Sequence, residues 1–178
     1  MVHRLQFEQW IAIPSEKVFL FFANPGNLPK IMPAHLRAEL VRVKLVPPPG
    51  ASLPSATVTS EEPIAGAGSE IVASFRPIPF LPFRIKWTAR IVEFQWNRFF
   101  VDVQEKGPFK RFRHGHEIVP ETREGVAGTL VRDVIEYEVG FGILGEVAEK
   151  TFIAREFSKT FRYRQHTLQK LLGATQKK

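Results

Sequence analysis

The stretch KRFRHGHEIV, residues 110–119, decides how the rest of the chain is read. Arg111, Arg113 and Glu117 alternate with Phe112, His114, His116 and Ile118, and a period of two belongs to a β-strand with one wet and one dry face. Both histidines therefore fall on the dry face.

Outward from this strand the same signal recurs. SEIVASFR (69–76), RIKWTARIVEF (84–94), RFFVDVQEK (98–106) and GTLVRDVIEYEV (128–139) are strand-like runs separated by turn signals, which predicts an antiparallel meander. In 84–94, Trp87, Ala89 and Ile91 oppose Arg84, Lys86 and Arg90, so the odd positions face inward and carry Glu93 with them. In 128–139, Arg132, Glu136 and Glu138 face water, leaving Thr129, Val131, Asp133, Ile135 and Tyr137 inside. A tight Trp96-Asn97 connection sets Glu93 opposite Phe100 and Ile91 opposite Asp102, turning Phe100, Asp102 and Gln104 inward. The loop around 121–125 allows Asp133 to face either His114 or His116. One interior wall then carries Glu93, Asp102, Gln104, His114, His116 and Asp133.

Upstream, RLQFEQWIAI (4–13) reads as the first strand. Ser15 is expected as the N-cap of a helix bearing Val18, Phe19 and Phe22, with Asn24-Pro25-Gly26 as its stop and a second short helix from near Asn27. LRAELVRVKLV (36–46) puts Val41, Val43 and Leu45 on one face and precedes a long loop or flap reaching to about residue 66. FRPIPFLPF (75–83) reads as a proline-rich edge or rim that could gate an interior or touch a membrane. Downstream, Leu144, Val147, Ala148, Phe152, Phe157, Phe161, Leu168, Leu171 and Leu172 recur at helical spacing. They predict one long amphipathic helix whose apolar face needs the sheet as its partner.

The 178 residues fit one domain spanning 1–178, and 44% hydrophobic content with 16 Phe and 3 Trp suits a packed core. The lack of cysteine excludes disulfides, thiolate catalysis and cysteine-ligated zinc. No apolar run approaches the roughly 20 residues of a membrane helix, and MVHRLQFEQW lacks the apolar core of a signal peptide. A cytoplasmic protein without stable membrane insertion is expected. The net charge of +7 is scattered, and its densest groups, Lys110, Arg111 and Arg113, then Lys159, Arg162 and Arg164, read as solvated faces. No nucleic-acid partner is expected, and His3, His35 and His166 are expected at the surface. A basic surface-interaction module is the third functional class, and the sequence sets no oligomeric state.

A strand, two short helices, a run of antiparallel strands and a long C-terminal helix form the order of the helix-grip fold. WTARI (87–91), FVDVQEKGPF (100–109), FRHGH (112–116), GTLVRDVIEY (128–137) and FGILG (141–145) resemble the START/Bet v 1-like superfamily. The resemblance is to its bacterial ligand-binding branch, described as SRPBCC or polyketide cyclase/dehydrase-like, and it covers nearly the whole chain. It implies an α+β fold, a curved antiparallel sheet wrapped around the long helix, with a deep apolar cavity between them. It also implies a hydrophobic small molecule, lipid- or polyketide-like, as the partner, without implying one reaction. The branch commonly has Trp where this chain has Phe112, which bears on the cavity's shape.

The expected ligand-binding residues are Trp87, Glu93, Phe100, Asp102, Gln104, Phe112, His114, His116, Asp133 and Tyr137. The same polar atoms admit three uses. They can satisfy one another as a network fixing strand pairing, or orient a carbonyl or hydroxyl of a bound molecule. They can also catalyse a cyclisation or dehydration, with His114 or His116 as base, Asp133 orienting it, and Asp102, Glu93 or Tyr137 as a second proton carrier. Whether the chain is an enzyme stays open. His-x-His does place two imidazoles on one side of a strand, but the spacing is common by chance, and neither a metal nor another cofactor is expected.

Overall fold

Strands β1 (Val2–Ile11), β2 (Glu39–Lys44), β3 (Glu70–Phe75), β4 (Ile85–Gln95), β5 (Phe99–Lys106), β6 (Arg111–Arg123) and β7 (Val126–Glu138) build one antiparallel sheet. Its order is β1-β7-β6-β5-β4-β3-β2. Helix α1 (Ser15–Ala23) follows β1, and helix α2 (Ala154–Ala174) closes the chain. The computed structural model describes residues 1–49, 63–77, 83–140 and 152–174. Most of the expected flap, residues 78–82 of the proline-rich segment and residues 144–151 of the expected long helix lie outside these.

The strands form where the period of two is cleanest. On β6, Phe112, His114, His116 and Ile118 are all buried, and on β7 so are Thr129, Val131, Asp133, Ile135 and Tyr137. The opposite face carries cross-strand charge pairs. Arg132 reaches its two register neighbours, Glu8 at 2.6 Å and Glu117 at 2.7 Å, while Lys110 meets Glu138 at 2.8 Å. Pairs of this kind contribute roughly 0.2–1 kcal/mol each.

Turn chemistry sets the register. β6 runs to Arg123, and only Glu124 and Gly125 separate it from β7, with φ of 50° and 77°. Two successive left-handed residues make the tight hairpin whose twist matches the strands, and Gly adopts that conformation without steric cost. The hairpin places His116 opposite Asp133 and His114 opposite Ile135, which decides between the two pairings the sequence allows.

The β4–β5 hairpin corrects an expectation. The connection holds three residues, Trp96 to Arg98, with Asn97 at φ 55° and Gln95 opposite Phe99. A one-residue bulge between Ile91 and Glu93 cancels the offset, so Ile91 still faces Asp102 while Phe94, not Glu93, faces Phe100. Glu93 therefore lies on the outer face, half-exposed, bonded to Arg113 at 2.8 Å. A second bulge, between Leu40 and Arg42 on β2, leaves Val41 exposed and turns Leu40 and Val43 inward.

At the N-terminal side, Pro14 rather than Ser15 occupies the cap position of α1, and no side chain caps it. The second short helix is realised as three 3-10 turns, Pro25–Asn27, Pro29–Ile31 and Ala34–Leu36. Pro25, Pro29 and Pro33 lack the N–H groups a continuous helix would need. His3, expected at the surface, is half-buried, its ring 5.3 Å from that of Tyr137, its partner in the β1–β7 register.

Helix α2 is clasped to β1 by a reciprocal pair of hydrogen bonds. Gln9 Nε2 donates to the carbonyl of Gln165 at 2.8 Å, and Gln165 Nε2 donates to the carbonyl of Glu8 at 3.0 Å. Phe7 and Phe161 stack beside this clasp at 4.4 Å. Two apolar clusters flank the middle of the inner face, one around Phe19, Ile91, Phe100, Ile118 and Leu168, the other around Phe112, Ile135, Tyr137 and Phe161.

Candidate functional site

Between the inner sheet face, the 3-10 turns and α2 lies a cavity of about 440 Å³. Its lining is mostly apolar, with Phe22, Ile31, Trp87, Phe112 and Phe157 prominent; Asp102, His114 and His116 form a polar wall on the sheet, and Asn24, Asn27, Glu156, Thr160 and Arg164 add polar groups from the other side. Trp87 and Phe112 meet edge to face at 4.6 Å, which fixes both rings at one end.

Asp133 stands behind the histidines. Its Oδ1 accepts from Nε2 of His114 at 2.9 Å. The same oxygen is 2.9 Å from Nδ1 of His116, a buried nitrogen whose ring angle takes it out of hydrogen-bonding geometry. On the other side, Asp102 Oδ2 lies 3.4 Å from Nε2 of His116 and 3.8 Å from Nδ1 of His114. The imidazoles sit 3.8 Å apart between centroids, His116 stacked on Phe100 and His114 edge-on to Phe161.

These surroundings push the groups apart electrostatically. Burial and then the charge of His116 hold His114 below the usual imidazole pKa, against the pull of Asp133 and Asp102. Burial opposes charge on His116 as well, but the two carboxylates, Asp102 before Asp133, outweigh it and raise its pKa. For Asp133 burial favours the neutral acid, yet the Arg164 guanidinium and both histidines win and hold its carboxyl well below the ordinary carboxylate range. Of the two rings, His116 is the one whose surroundings favour the proton more.

Of the residues expected at the site, Trp87, Phe100, Asp102, Phe112, His114 and His116 come together around the cavity. Gln104 faces inward but clasps the β5–β6 turn, donating to the Phe109 carbonyl at 2.7 Å and accepting from its N–H at 3.3 Å. Tyr137 is buried against Phe109 and Phe157 and does not line the cavity. Glu93 faces the opposite side of the sheet. Glu93→Ala is accordingly expected to leave apolar-probe binding unchanged and to move stability by no more than about 0.5 kcal/mol, since it removes one exposed ion pair. Dye titration and urea unfolding check this, and weakened dye binding would return Glu93 to the interior.

Arg164 is the residue whose role sequence reasoning misses. By charge it groups with Lys159 and Arg162 as a solvated face, but its guanidinium lies over the ring of Phe161 at 4.6 Å and lines the cavity. A signal is present in the sequence: Phe157, Phe161, Arg164 and Leu168 share one helical stripe at spacings of four, three and four.

A sheet curved around a long helix, with a cavity under that helix and a buried histidine–carboxylate wall, defines a helix-grip α+β protein. Residues 11–163 match the family described as polyketide cyclase/dehydrase and lipid transport, and the chain belongs to that family. A search of curated protein sequences returns no match. Among solved structures, the Thermus thermophilus protein TTHA0849 is similar with TM-score 0.63 and 16% identity, covering 97% of this chain and 99% of that one. A START superfamily protein from Mycobacterium smegmatis gives TM-score 0.64 at 13% identity, covering 97% and 99%. A Thalictrum norcoclaurine synthase point mutant, in complex with a transition-state analogue, gives 0.62 at 12%, covering 99% and 97%. At these identities the likeness is one of fold. No helix among the described residues is long and apolar enough to cross a membrane.

Proposed function

We propose that the chain binds a hydrophobic small molecule, lipid- or polyketide-like, in the cavity beneath α2. One observation carries the reading: a mostly apolar cavity of about 440 Å³ whose lining carries a few polar side chains, Asp102, His114, His116 and Arg164 among them. Sites for small organic molecules are built this way, the apolar area supplying affinity and a few polar atoms supplying orientation. Asp102, His114, His116 and Arg164 offer both acceptors and donors, which suits a ligand with an oxygen function at one end.

The test uses a neutral apolar probe, N-phenyl-1-naphthylamine, whose fluorescence rises on leaving water. The folded chain is expected to take it up, and Trp87→Ala or Phe112→Ala is expected to change its affinity about tenfold, the equivalent of about half of a buried aromatic side chain. No uptake by the folded chain would sink the binding reading.

A second reading makes the chain a cyclase or dehydratase. It is favoured by the placement of His114 and His116, which line the cavity with Asp133 held behind them. If it holds, His114→Ala and His116→Ala abolish turnover of a poly-β-keto thioester while naphthylamine uptake persists.

A further inference from the structure

We propose that Asp102, His114 and His116 form a divalent-metal site of the two-histidine, one-carboxylate kind, on the polar wall of the cavity. The inference departs from the expectation drawn from spacing alone, and it rests on side-chain geometry rather than on the binding reading.

The decisive feature is that one oxygen faces both rings. Asp133 Oδ1 lies 2.9 Å from Nε2 of His114 and 2.9 Å from Nδ1 of His116. A carboxylate oxygen accepts and cannot donate, so His114 donates its Nε2–H to Asp133 and keeps the lone pair of Nδ1. Nδ1 of His116 faces the same oxygen without bonding to it, and with its proton there the neutral ring would carry its lone pair on Nε2. Those other nitrogens, Nδ1 of His114 and Nε2 of His116, converge on Asp102 Oδ2 at 3.8 and 3.4 Å. The three donor atoms all fall within 4.8 Å of one another.

These separations are too long for good hydrogen bonds. Metal–ligand bonds of about 2.0–2.2 Å at a tetrahedral centre put neighbouring ligand atoms about 3.3–3.6 Å apart, so the 3.4 Å approach matches and the 3.8 Å approach needs a small inward shift of His114. A proton on His116 answers one approach to Asp102 and leaves Nδ1 of His114 facing the carboxylate without a hydrogen. A cation within the triangle answers both approaches at once.

The surroundings fit the same reading. Histidine ligands ordinarily donate their remote N–H to a carboxylate that fixes tautomer and ring angle, and Asp133 stands in that position for both rings. Nδ1 of His116 makes no hydrogen bond at its present ring angle, and Asp133 Oδ1, 2.9 Å away, is placed to accept one when the ring turns on binding the metal. Phe100 and Phe161 pack on the two imidazoles and exclude water from that side. Asp102 and Asp133 against Arg164 leave one net negative charge for a dication to neutralise. Two imidazoles and a carboxylate suit a borderline ion such as zinc, and three protein ligands leave a coordination position open toward the cavity. An oxygen of a bound small molecule, or water, would take it.

The test uses the whole chain, stripped with chelator, dialysed, and titrated with zinc chloride by calorimetry and with cobalt(II) in the visible spectrum. One zinc per chain at micromolar affinity or tighter is expected, with the intense d–d bands of tetrahedral cobalt. Asp102→Asn and His114→Ala should weaken binding at least tenfold, and Asp133→Asn about 10–100-fold through loss of outer support. The double variant of exposed histidines, His35→Ala with His166→Ala, should bind as the parent does. Circular dichroism verifies each fold, and Asp102→Asn carries the test if His114→Ala does not fold. No zinc uptake, uptake unchanged by Asp102→Asn, or uptake lost in the surface double variant would each overturn the site. Persisting naphthylamine uptake in that event leaves the binding reading standing and removes the metal alone.

Discussion

Asp133→Ala is expected to destabilise the chain by about 3–5 kcal/mol, the cost of breaking a buried charge pair by removing one partner. Asp133 is 7% exposed, and its Oδ1 is the nearest acceptor to a nitrogen on each of two buried rings. Without it, His114 loses its hydrogen bond, His116 loses one of the two carboxylates that favour its charge, and Arg164 loses the anion whose pKa it depresses. Asp133→Asn keeps the volume and one acceptor oxygen, so it should cost less than alanine. Urea unfolding followed by tryptophan fluorescence measures both. A loss below about 1 kcal/mol for the alanine variant would mean that the imidazoles find other partners and that Asp133 does not organise the wall.

Phe161→Ala should cost a similar amount, about 3–5 kcal/mol, for a different reason: lost burial together with a cavity that the packed surroundings only partly fill. Phe161 is 3% exposed, stacks on Phe7 at 4.4 Å, meets His114 edge-on at 5.6 Å and supports Arg164 at 4.6 Å. It joins α2, β1 and the polar wall in one contact. Because the ring also lines the cavity beneath α2, the alanine variant is expected to accept bulkier apolar probes while unfolding at lower urea. Phe161→Leu should recover part of the stability. A variant that loses stability without any change in probe size would place the new space outside the cavity beneath α2.

The legible part of the fold is the part written in short periods. The faces of β6 and β7 follow from simple alternation, and the helical stripe through Phe157, Phe161 and Leu168 follows from recurrence at three and four residues. Glu93 escapes such a reading because the period of two breaks at a bulge, and no residue near Ile91-Val92-Glu93 announces one. The three-residue turn then compensates, so a two-residue turn with an unbroken strand yields the same pairing of Ile91 with Asp102 for the wrong reason. Arg164 escapes it in the opposite way. Its charge suggests water, although its helical phase places it inside, where the faces of Phe22 and Phe161 make a cation tolerable. Gln104 and Tyr137 have the expected parity, but parity selects a face of the sheet and not a depth along it.

The sequence by itself determined the order of elements, the inward face of each regular strand, and the family to which that order belongs. It also brought His114, His116 and Asp133 to one side of one hairpin, because alternation constrains any strand that buries a single face. Only the tertiary structure decided how these groups meet. The left-handed pair Glu124-Gly125 chose the register, and the bulge at β4 removed Glu93 from the wall. The ring rotamers, held by Phe100 and Phe161, then turned one nitrogen of each imidazole toward Asp133 and the other toward Asp102. Those choices depend on turn conformation and on packing between residues distant in sequence, and such contacts leave no periodic trace along the chain.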